Sequence, residues 1–270
     1  MIIVGELINA TRKAVREAIE AKDVKTIQKL AKDQAEAGAS YIDVNAGVFV
    51  ESEAEYLQWI IDSVSEVTEV PCCIDSSSPK TIETTLASLK EKSGATPMIN
   101  SISLEKKRFD SMIPVIAGTD LKVIALCMDD GGMPETADQR LRIADNLINA
   151  LVRNNIKLEN IYVDPLVQAL ATNSIFGIEF LKAVDGIMTG YPGVHTMCGL
   201  SNISFGMPAR KFMNQNLMVM AIAHGLDGAI MNPLDKTMMA CIVTAEALAG
   251  KDKYSMNYLK AYRGQMFENC

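Results

Sequence analysis

The chain has 270 residues, of which 49% are hydrophobic and 22% charged, and its formal net charge is −7. This composition predicts a core-forming protein, and the acidic balance excludes a basic stripe for nucleic-acid phosphates. The first residues lack the basic flank and long apolar core of a signal peptide. No run approaches the roughly 18 apolar residues of a membrane span. We therefore expect a cytoplasmic protein that binds neither nucleic acid nor a membrane.

Apolar, strand-like runs recur along the chain with helical segments between them. The predicted strands are residues 2–5, 41–45, 71–75, 97–101, 122–127, 160–164, 195–200 and 228–232. Helical patterns cover residues 24–38, 136–154, 208–224 and 234–249, and a further helix is predicted to open at Ser78-Pro79, with serine as the cap and proline in the first turn.

Eight strand–helix units favour a single (β/α)₈ TIM barrel domain over residues 1–270, with residues 253–266 as a C-terminal helical addition. The alternative is a doubly wound open sheet, which usually carries a Gly-rich phosphate turn after its first strand. The corresponding residues here read Glu6-Leu7-Ile8-Asn9-Ala10, so the barrel is the prediction that we carry forward.

The six cysteines form no C-x-x-C pair, and most of them lie inside apolar runs. We therefore expect reduced thiols in the core. His195 and Cys198 form an H-x-x-C pair, but the chain has only two histidines and no third ligand is spaced nearby. A metal site is not predicted there.

Several predicted strands run directly into a carboxylate or an amide. A buried strand gains nothing from ending in an unpaired charge, so a repeated pattern of this kind indicates strand ends that converge on a polar ligand. In a barrel these residues would surround one mouth. The set comprises Glu6, Asn9, Asp43, Asn45, Asp75, Asn100, Asp164, Ser201, Asn202 and Asn232.

This set contains no histidine, no lysine and no nucleophile–base pair, which disfavours triad and Schiff-base chemistry. Carboxylates could bind Mg²⁺, and that alternative stays open. The set suits best a neutral heterocycle such as a 2-amino-4-oxo pyrimidine ring, because one carboxylate can accept both its ring N–H and its exocyclic amine.

The strand-end motifs resemble the pterin-binding methyltransferase family, which includes the methyltetrahydrofolate:corrinoid protein methyltransferases and the folate domain of cobalamin-dependent methionine synthase. The motifs run from Gly5-Glu6-x-Ile8-Asn9 through Asp43-x-Asn45, Ile74-Asp75-Ser76, Ile99-Asn100-Ser101 and Asp164-Pro165-Leu166 to Gly199-Leu200-Ser201-Asn202-x-Ser204. Dihydropteroate synthases are similar in barrel type. However, they typically carry Ser-Arg-Lys where this chain has Ser201-Asn202, and Arg-x-His where it has residues 230–233.

The resemblance implies that Asp75, Asn100 and Asp164 hold a pterin ring and that Asn202 reaches N5 as the catalytic residue. It also implies that Arg210 closes over the pterin and that Asp43 and Ser201 support the hydrogen bonds around N5. Glu6, after the first predicted strand, is a further candidate substrate-binding residue. The implied substrate is tetrahydrofolate or 5-methyltetrahydrofolate. Because the chain lacks the D-x-H-x-x-G corrinoid motif, the cobalamin would arrive on a separate corrinoid protein.

The implied activity is methyl transfer between N5 and cobalt, performed by a homodimer. A dihydropteroate synthase-like enzyme and a catalytically silent pterin-binding protein are the alternatives.

Overall fold

The computed structural model describes residues 1–89 and 96–268, and its strands form one parallel sheet in the order β7-β6-β5-β4-β3-β2-β1-β8. The strands are β1 (Ile2–Asn9), β2 (Tyr41–Asn45), β3 (Cys72–Asp75), β4 (Met98–Leu104), β5 (Lys122–Asp129), β6 (Ile161–Asp164), β7 (His195–Thr196) and β8 (Gly228–Met231).

The sheet closes on itself between its two end strands. Immediately after β7, Cys198 accepts a backbone hydrogen bond from Ile230 of β8 at 2.9 Å, and Gly199 forms a parallel bridge with the same residue. Closure of eight parallel strands with intervening helices confirms the (β/α)₈ barrel. The open-sheet alternative is wrong.

Helices cover the outside of the barrel. They are α1 (Lys13–Glu20), α2 (Val24–Glu36), α3 (Glu53–Ser65), α4 (Pro79–Leu89), α5 (Lys106–Ile116), α6 (Ala137–Arg153), α7 (Phe176–Gly190), α8 (Arg210–Ala223), α9 (Lys236–Leu248) and α10 (Met256–Arg263). A capping box marks the start of α6. The Thr136 hydroxyl accepts from the backbone N–H of Gln139, and the Gln139 side chain accepts from the backbone N–H of Thr136. The last helix, α10, packs against α9.

Two strands differ clearly from the sequence prediction. The first runs on to Asn9, because Leu7 and Ile8 are buried and continue the ladder past a register shift after Gly5. The seventh is only two residues long, because residues 200–204 turn into a 3₁₀ helix instead of extending the strand. Glu6 therefore lies within a strand, whereas Ser201 and Asn202 lie on a helical turn.

The barrel interior is filled at its N-terminal end by one side chain from each of β1 to β6 and one from the segment just past β7. These residues are Val4, Tyr41, Cys73, Met98, Ile124, Tyr162 and, just past β7, Met197. A separate and larger apolar cluster lies between the strands and helices α1 to α7. This apolar layer closes the barrel beneath its C-terminal mouth.

The cysteines in the core behave as expected from the sequence. Cys72, Cys73, Cys127 and Cys198 are buried free thiols, and Cys270 lies outside the described residues. His195 does not pair with Cys198. Its Nδ1 lies 2.6 Å from the Asp227 carboxylate instead. Within residues 1–89 and 96–268, no three His, Cys, Asp or Glu side chains are grouped so that they could hold a metal ion.

Among the helices in the described part of the chain, none is both long and apolar enough to cross a membrane.

Candidate functional site

The second interior layer of the barrel is polar, and strand periodicity explains why. Side chains two residues apart on a strand point to the same side. The residue two positions after each interior apolar residue therefore points into the barrel as well, and it lies nearer the C-terminal mouth. On β1 to β6 these residues are Glu6, Asp43, Asp75, Asn100, Leu126 and Asp164. Five of the predicted site residues thus point into the barrel.

Three strands present their polar residues at the same level. In the parallel register, Asn45 of β2 lies beside Asp75 of β3, which in turn lies beside Asn100 of β4. The Asn45 amide donates to the Asp75 carboxylate at 2.9 Å and to the Asp75 carbonyl at 3.3 Å. These contacts hold the carboxylate in one orientation.

A cavity of about 260 Å³ opens beside this row. Asp75, Asn100 and Leu126 contribute to its wall, together with Arg108. Leu126 is also the register partner of Asp164 on the next strand. The carboxylate of Asp75 and the amide of Asn100 thus present acceptors and a donor to one space, as a ring with N–H donors and a ring acceptor requires.

Asp43 lies deeper than the row and is almost fully buried, at 2% exposure. Burial raises its pKa well above the ordinary value, and the Asp75 charge raises it further, while hydrogen bonding with Cys73 and Asn100 partly opposes this. Its Oδ1 has no hydrogen-bond partner among the described residues. A neutral carboxyl group at this position can donate a proton to a hydrogen bond, which the other acidic residues cannot do when ionised.

Asp164 is also buried, and burial raises its pKa to about 7. Backbone hydrogen bonds from Leu166, at 2.7 Å, and from Gly199 oppose that rise, as does the charge of Arg140. The carboxyl group therefore titrates near neutral pH. A ligand that donates hydrogen bonds to it favours the ionised form.

The predicted residues after β7 form a second group. The Arg210 guanidinium donates to the Ser201 carbonyl at 2.8 Å and to the Ser204 hydroxyl at 3.0 Å. Asn202 and Arg210 are exposed, and Ser201 is half-buried. Burial raises the pKa of Glu6, and the charges of Arg12 and Arg210 oppose that rise. Arg210 therefore acts electrostatically on a residue of β1.

Strand order defines how the two groups face each other. In a closed ring of eight strands, β7 lies opposite β3. Asn202 therefore lies across the mouth from Asp75. In the structure, Glu6, Asp43, Asp75, Asn100 and Asp164 point into the barrel. Ser201 and Asn202 lie on the 3₁₀ turn after β7, and Arg210, the first residue of α8, bonds back to that turn.

Sequence reasoning missed three buried or half-buried residues that support the site. Glu53 of α3 accepts a hydrogen bond from Ser76 at 2.7 Å. Arg108 of α5 donates to backbone carbonyls after β3 and within β4, and Arg140 of α6 donates to a carbonyl after β6. All three lie on helices among other charged residues, so no local pattern distinguished them from solvated positions.

Comparison with known proteins agrees with this geometry. Residues 5–232 match the model of the pterin binding enzyme family. The chain is 39% identical over 265 residues to methylcorrinoid:tetrahydrofolate methyltransferase of Eubacterium limosum, covering 97% of this chain and 96% of that protein. It is 29% identical over 245 residues to methionine synthase of Mycobacterium tuberculosis, covering 86% of this chain but 20% of that much longer protein.

Solved structures share the fold at low sequence identity. A dihydropteroate synthase from Coxiella burnetii in complex with pteroic acid superposes with a TM-score of 0.72 at 16% identity, covering 93% of this chain and 94% of that one. The Yersinia pestis enzyme with a pterine-sulfa conjugate superposes with a TM-score of 0.70 at 16% identity, covering 93% of each chain. The family expected from the strand-end motifs is confirmed: this chain belongs to the pterin binding enzymes.

Proposed function

We propose that the protein transfers a methyl group between N5 of tetrahydrofolate and the cobalt of a corrinoid carried by a separate protein. The observation that carries the proposal is the inward layer of Asp75, Asn100 and Asp164, of which Asp75 and Asn100 line one cavity. It stands in a chain that is 39% identical, over nearly its whole length, to a methylcorrinoid:tetrahydrofolate methyltransferase.

The layer accounts for recognition of the pterin. An ionised carboxylate can accept the ring N–H and the exocyclic amine together, and an amide such as Asn100 supplies one donor and one acceptor for the mixed edge of the ring. Asp43, with its raised pKa and its free Oδ1, can donate to a ring acceptor or to a water molecule. Glu6 contributes negative charge at the edge of the layer.

The transfer step needs little from the protein beyond alignment and charge stabilisation. From methyltetrahydrofolate, cobalt(I) supplies the electron pair of the new cobalt–carbon bond, while the pair of the broken N5–carbon bond stays on nitrogen. In the opposite direction, N5 supplies the pair and cobalt(I) is released. The Asn202 side chain would hydrogen-bond at N5 as its charge changes, without acting as a strong acid.

The exposed position of Asn202 and Arg210 supports a partner that is a protein. A corrinoid bound to another protein must come within bonding distance of the methyl group, so the N5 side of the site has to be open. Asn202 and Arg210 lie on such an open side of the mouth. Ser201 would hold Arg210 in place through its carbonyl oxygen.

An anaerobic spectroscopic assay tests the activity. The protein is mixed with cob(I)alamin and methyltetrahydrofolate, and the conversion of the Co(I) spectrum into that of methyl-Co(III) is followed, as is the reverse reaction. Enzyme-dependent conversion supports the proposal. A protein that binds tetrahydrofolate but leaves both spectra unchanged is a silent pterin-binding protein instead.

The dihydropteroate synthase alternative has its own assay. Incubation with a pterin pyrophosphate and p-aminobenzoate should yield no dihydropteroate, because this chain has Asn202 and residues 230–233 where those enzymes carry basic side chains. The likeness to solved dihydropteroate synthases is at 16% identity and concerns the fold.

The proposal includes the cytoplasmic location expected from the sequence and a homodimer, which the resemblance implied. Sedimentation at equilibrium measures the second directly, and a monomer across micromolar concentrations would contradict it.

A further inference from the structure

Arg140 is the largest fully buried side chain of the protein's described residues, with 0% exposure. It lies on the first turns of α6, beneath the loop that follows β6. A buried guanidinium is costly unless its donors are paired, so its position demands partners. Those partners determine what the residue does.

The partners are backbone carbonyls. Arg140 Nε donates to the Pro165 carbonyl at 2.7 Å, and its Nη2 reaches the Leu166 carbonyl at 3.4 Å. Nη1 donates to the Glu135 carbonyl at 2.8 Å, which ties the same group to the start of its own helix. A planar fork of donors matches such a set, whereas a lysine ammonium does not.

The loop that Arg140 holds is strained. Leu166 has a φ of 67°, in the left-handed region that a leucine rarely adopts. In that conformation its N–H points back and donates to Asp164 Oδ1 at 2.7 Å. The contacts therefore run in series from the guanidinium, through the carbonyls of residues 165 and 166, to the carboxylate of Asp164.

A similar arrangement occurs beside Asp75 and Asn100. Arg108 donates to the carbonyls of Ser76 at 3.0 Å and Ser77 at 2.6 Å, directly after Asp75, and to the Ser101 carbonyl at 3.0 Å, directly after Asn100. Arg108 also faces the cavity, so direct contact with a ligand would be mixed with any effect on the loops. Arg140 is fully buried, so its effect can be measured by itself.

We propose that Arg140 is a positioning residue for the pterin, which holds the 165–166 loop so that the Asp164 carboxylate presents one orientation to the ring. This inference rests on the proposed function, because it assumes that Asp164 binds the pterin. It assigns no contact between Arg140 and the substrate.

The charged and titratable groups around Asp164 define what a substitution would change. Arg140 is the cation that acts on it, and the buried thiols of Cys127 and Cys198 face it from β5 and from the segment after β7. Burial raises the pKa of both thiols, so they are neutral. Glu179 of α7 acts on Arg140 from the other side. Removal of the Arg140 charge should therefore raise the pKa of Asp164.

The test compares Arg140→Met, Arg140→Lys and the control Arg142→Met, an exposed arginine on the same helix. The dissociation constant of tetrahydrofolate is measured by anaerobic calorimetry as a function of pH, and folding is checked by circular dichroism and thermal melting.

Arg140→Met should weaken binding by about tenfold or more and move the midpoint of its pH dependence upward. Arg140→Lys keeps the charge but not the fork, so it should weaken binding while the midpoint stays near that of the wild type. Arg142→Met should change neither quantity.

A folded Arg140→Met variant with wild-type affinity and midpoint would overturn the inference. If that variant does not fold, Arg140→Lys decides, and affinity within about twofold of the wild type overturns the inference in the same way. Asp164→Asn, measured alongside, separates this outcome from failure of the proposed function. If Asp164→Asn also binds tetrahydrofolate normally, the pterin site itself is misplaced.

Discussion

Asn45 and Asp75 lie side by side in the parallel register of β2 and β3, and the Asn45 amide donates to the Asp75 carboxylate at 2.9 Å. Burial raises the pKa of Asp75, and this hydrogen bond opposes that rise. The Asn45 side chain therefore both orients the carboxylate and favours its ionised form.

Substitution of Asn45 should weaken the site without any loss of a direct pterin contact. In Asn45→Ala, the Asp75 carboxylate loses its orienting donor and its pKa rises. We expect the dissociation constant of tetrahydrofolate to increase roughly tenfold at neutral pH. Calorimetric titration measures this, with Asn149→Ala on the exposed face of α6 as control. Equal affinities in the two variants would contradict the expectation.

Removal of either carboxylate should affect binding more than folding. In Asp75→Ala and Asp164→Ala, each lost hydrogen bond to a charged acceptor costs roughly 1.5–3 kcal/mol of binding free energy. Titration with tetrahydrofolate and thermal melting of the same samples compare the two effects. Unchanged affinity in both variants would mean that the pterin binds elsewhere.

The affinity for tetrahydrofolate should depend on pH through Asp164. Its pKa is raised to about 7 in the free protein, and the ionised form is the one that accepts two N–H donors. Below that pKa, binding must first remove a proton, so affinity should fall by up to about tenfold for each pH unit. Titrations between about pH 5.5 and 8.5 measure the slope. A flat profile in this range would exclude Asp164 as the titrating group.

The raised pKa of Asp164 also means that its ionised carboxylate destabilises the folded protein. Its pKa in the folded protein lies above the ordinary value of 3.8, so the carboxyl group contributes most to stability below pH 3.8 and loses that contribution as pH rises through about 7. Asp164→Asn removes the cost and keeps an oxygen acceptor for the Leu166 amide. We expect stabilisation at about pH 8, by at most roughly 4 kcal/mol, and none near pH 4.

Thermal melting at both pH values tests this expectation, with the exposed Asp185→Asn as control. A variant that is less stable than the wild type at the higher pH would show that the carboxylate holds the loop by more than its acceptor oxygen.

Asn202→Ala should lower the rate of methyl transfer more than it lowers pterin affinity. A hydrogen bond that strengthens only as the charge on N5 changes affects the transfer step, by roughly ten- to a thousand-fold. Stopped-flow measurement at saturating folate isolates that step, with Asn216→Ala on α8 as control. A rate within about twofold of the wild type would make Asn202 a structural residue.

The sequence by itself determined the number and order of the strand–helix units and the acceptors at their ends. These follow from local patterns, because apolar runs of strand length ending in Asp75, Asn100 or Asp164 need no knowledge of distant residues. The period of two along a strand then places those side chains one layer above the interior apolar residues.

Only the tertiary structure decided which residues orient and tune the acceptors. Asn45 meets Asp75 through strand register, Glu53 bonds Ser76 from 23 residues away, and Arg140 reaches Pro165 from 25 residues away. It also placed residues 200–204 on a helical turn instead of a strand. Such contacts depend on how helices pack over strand ends. The fold also determines the burial of Asp164, and that burial raises its pKa to about 7.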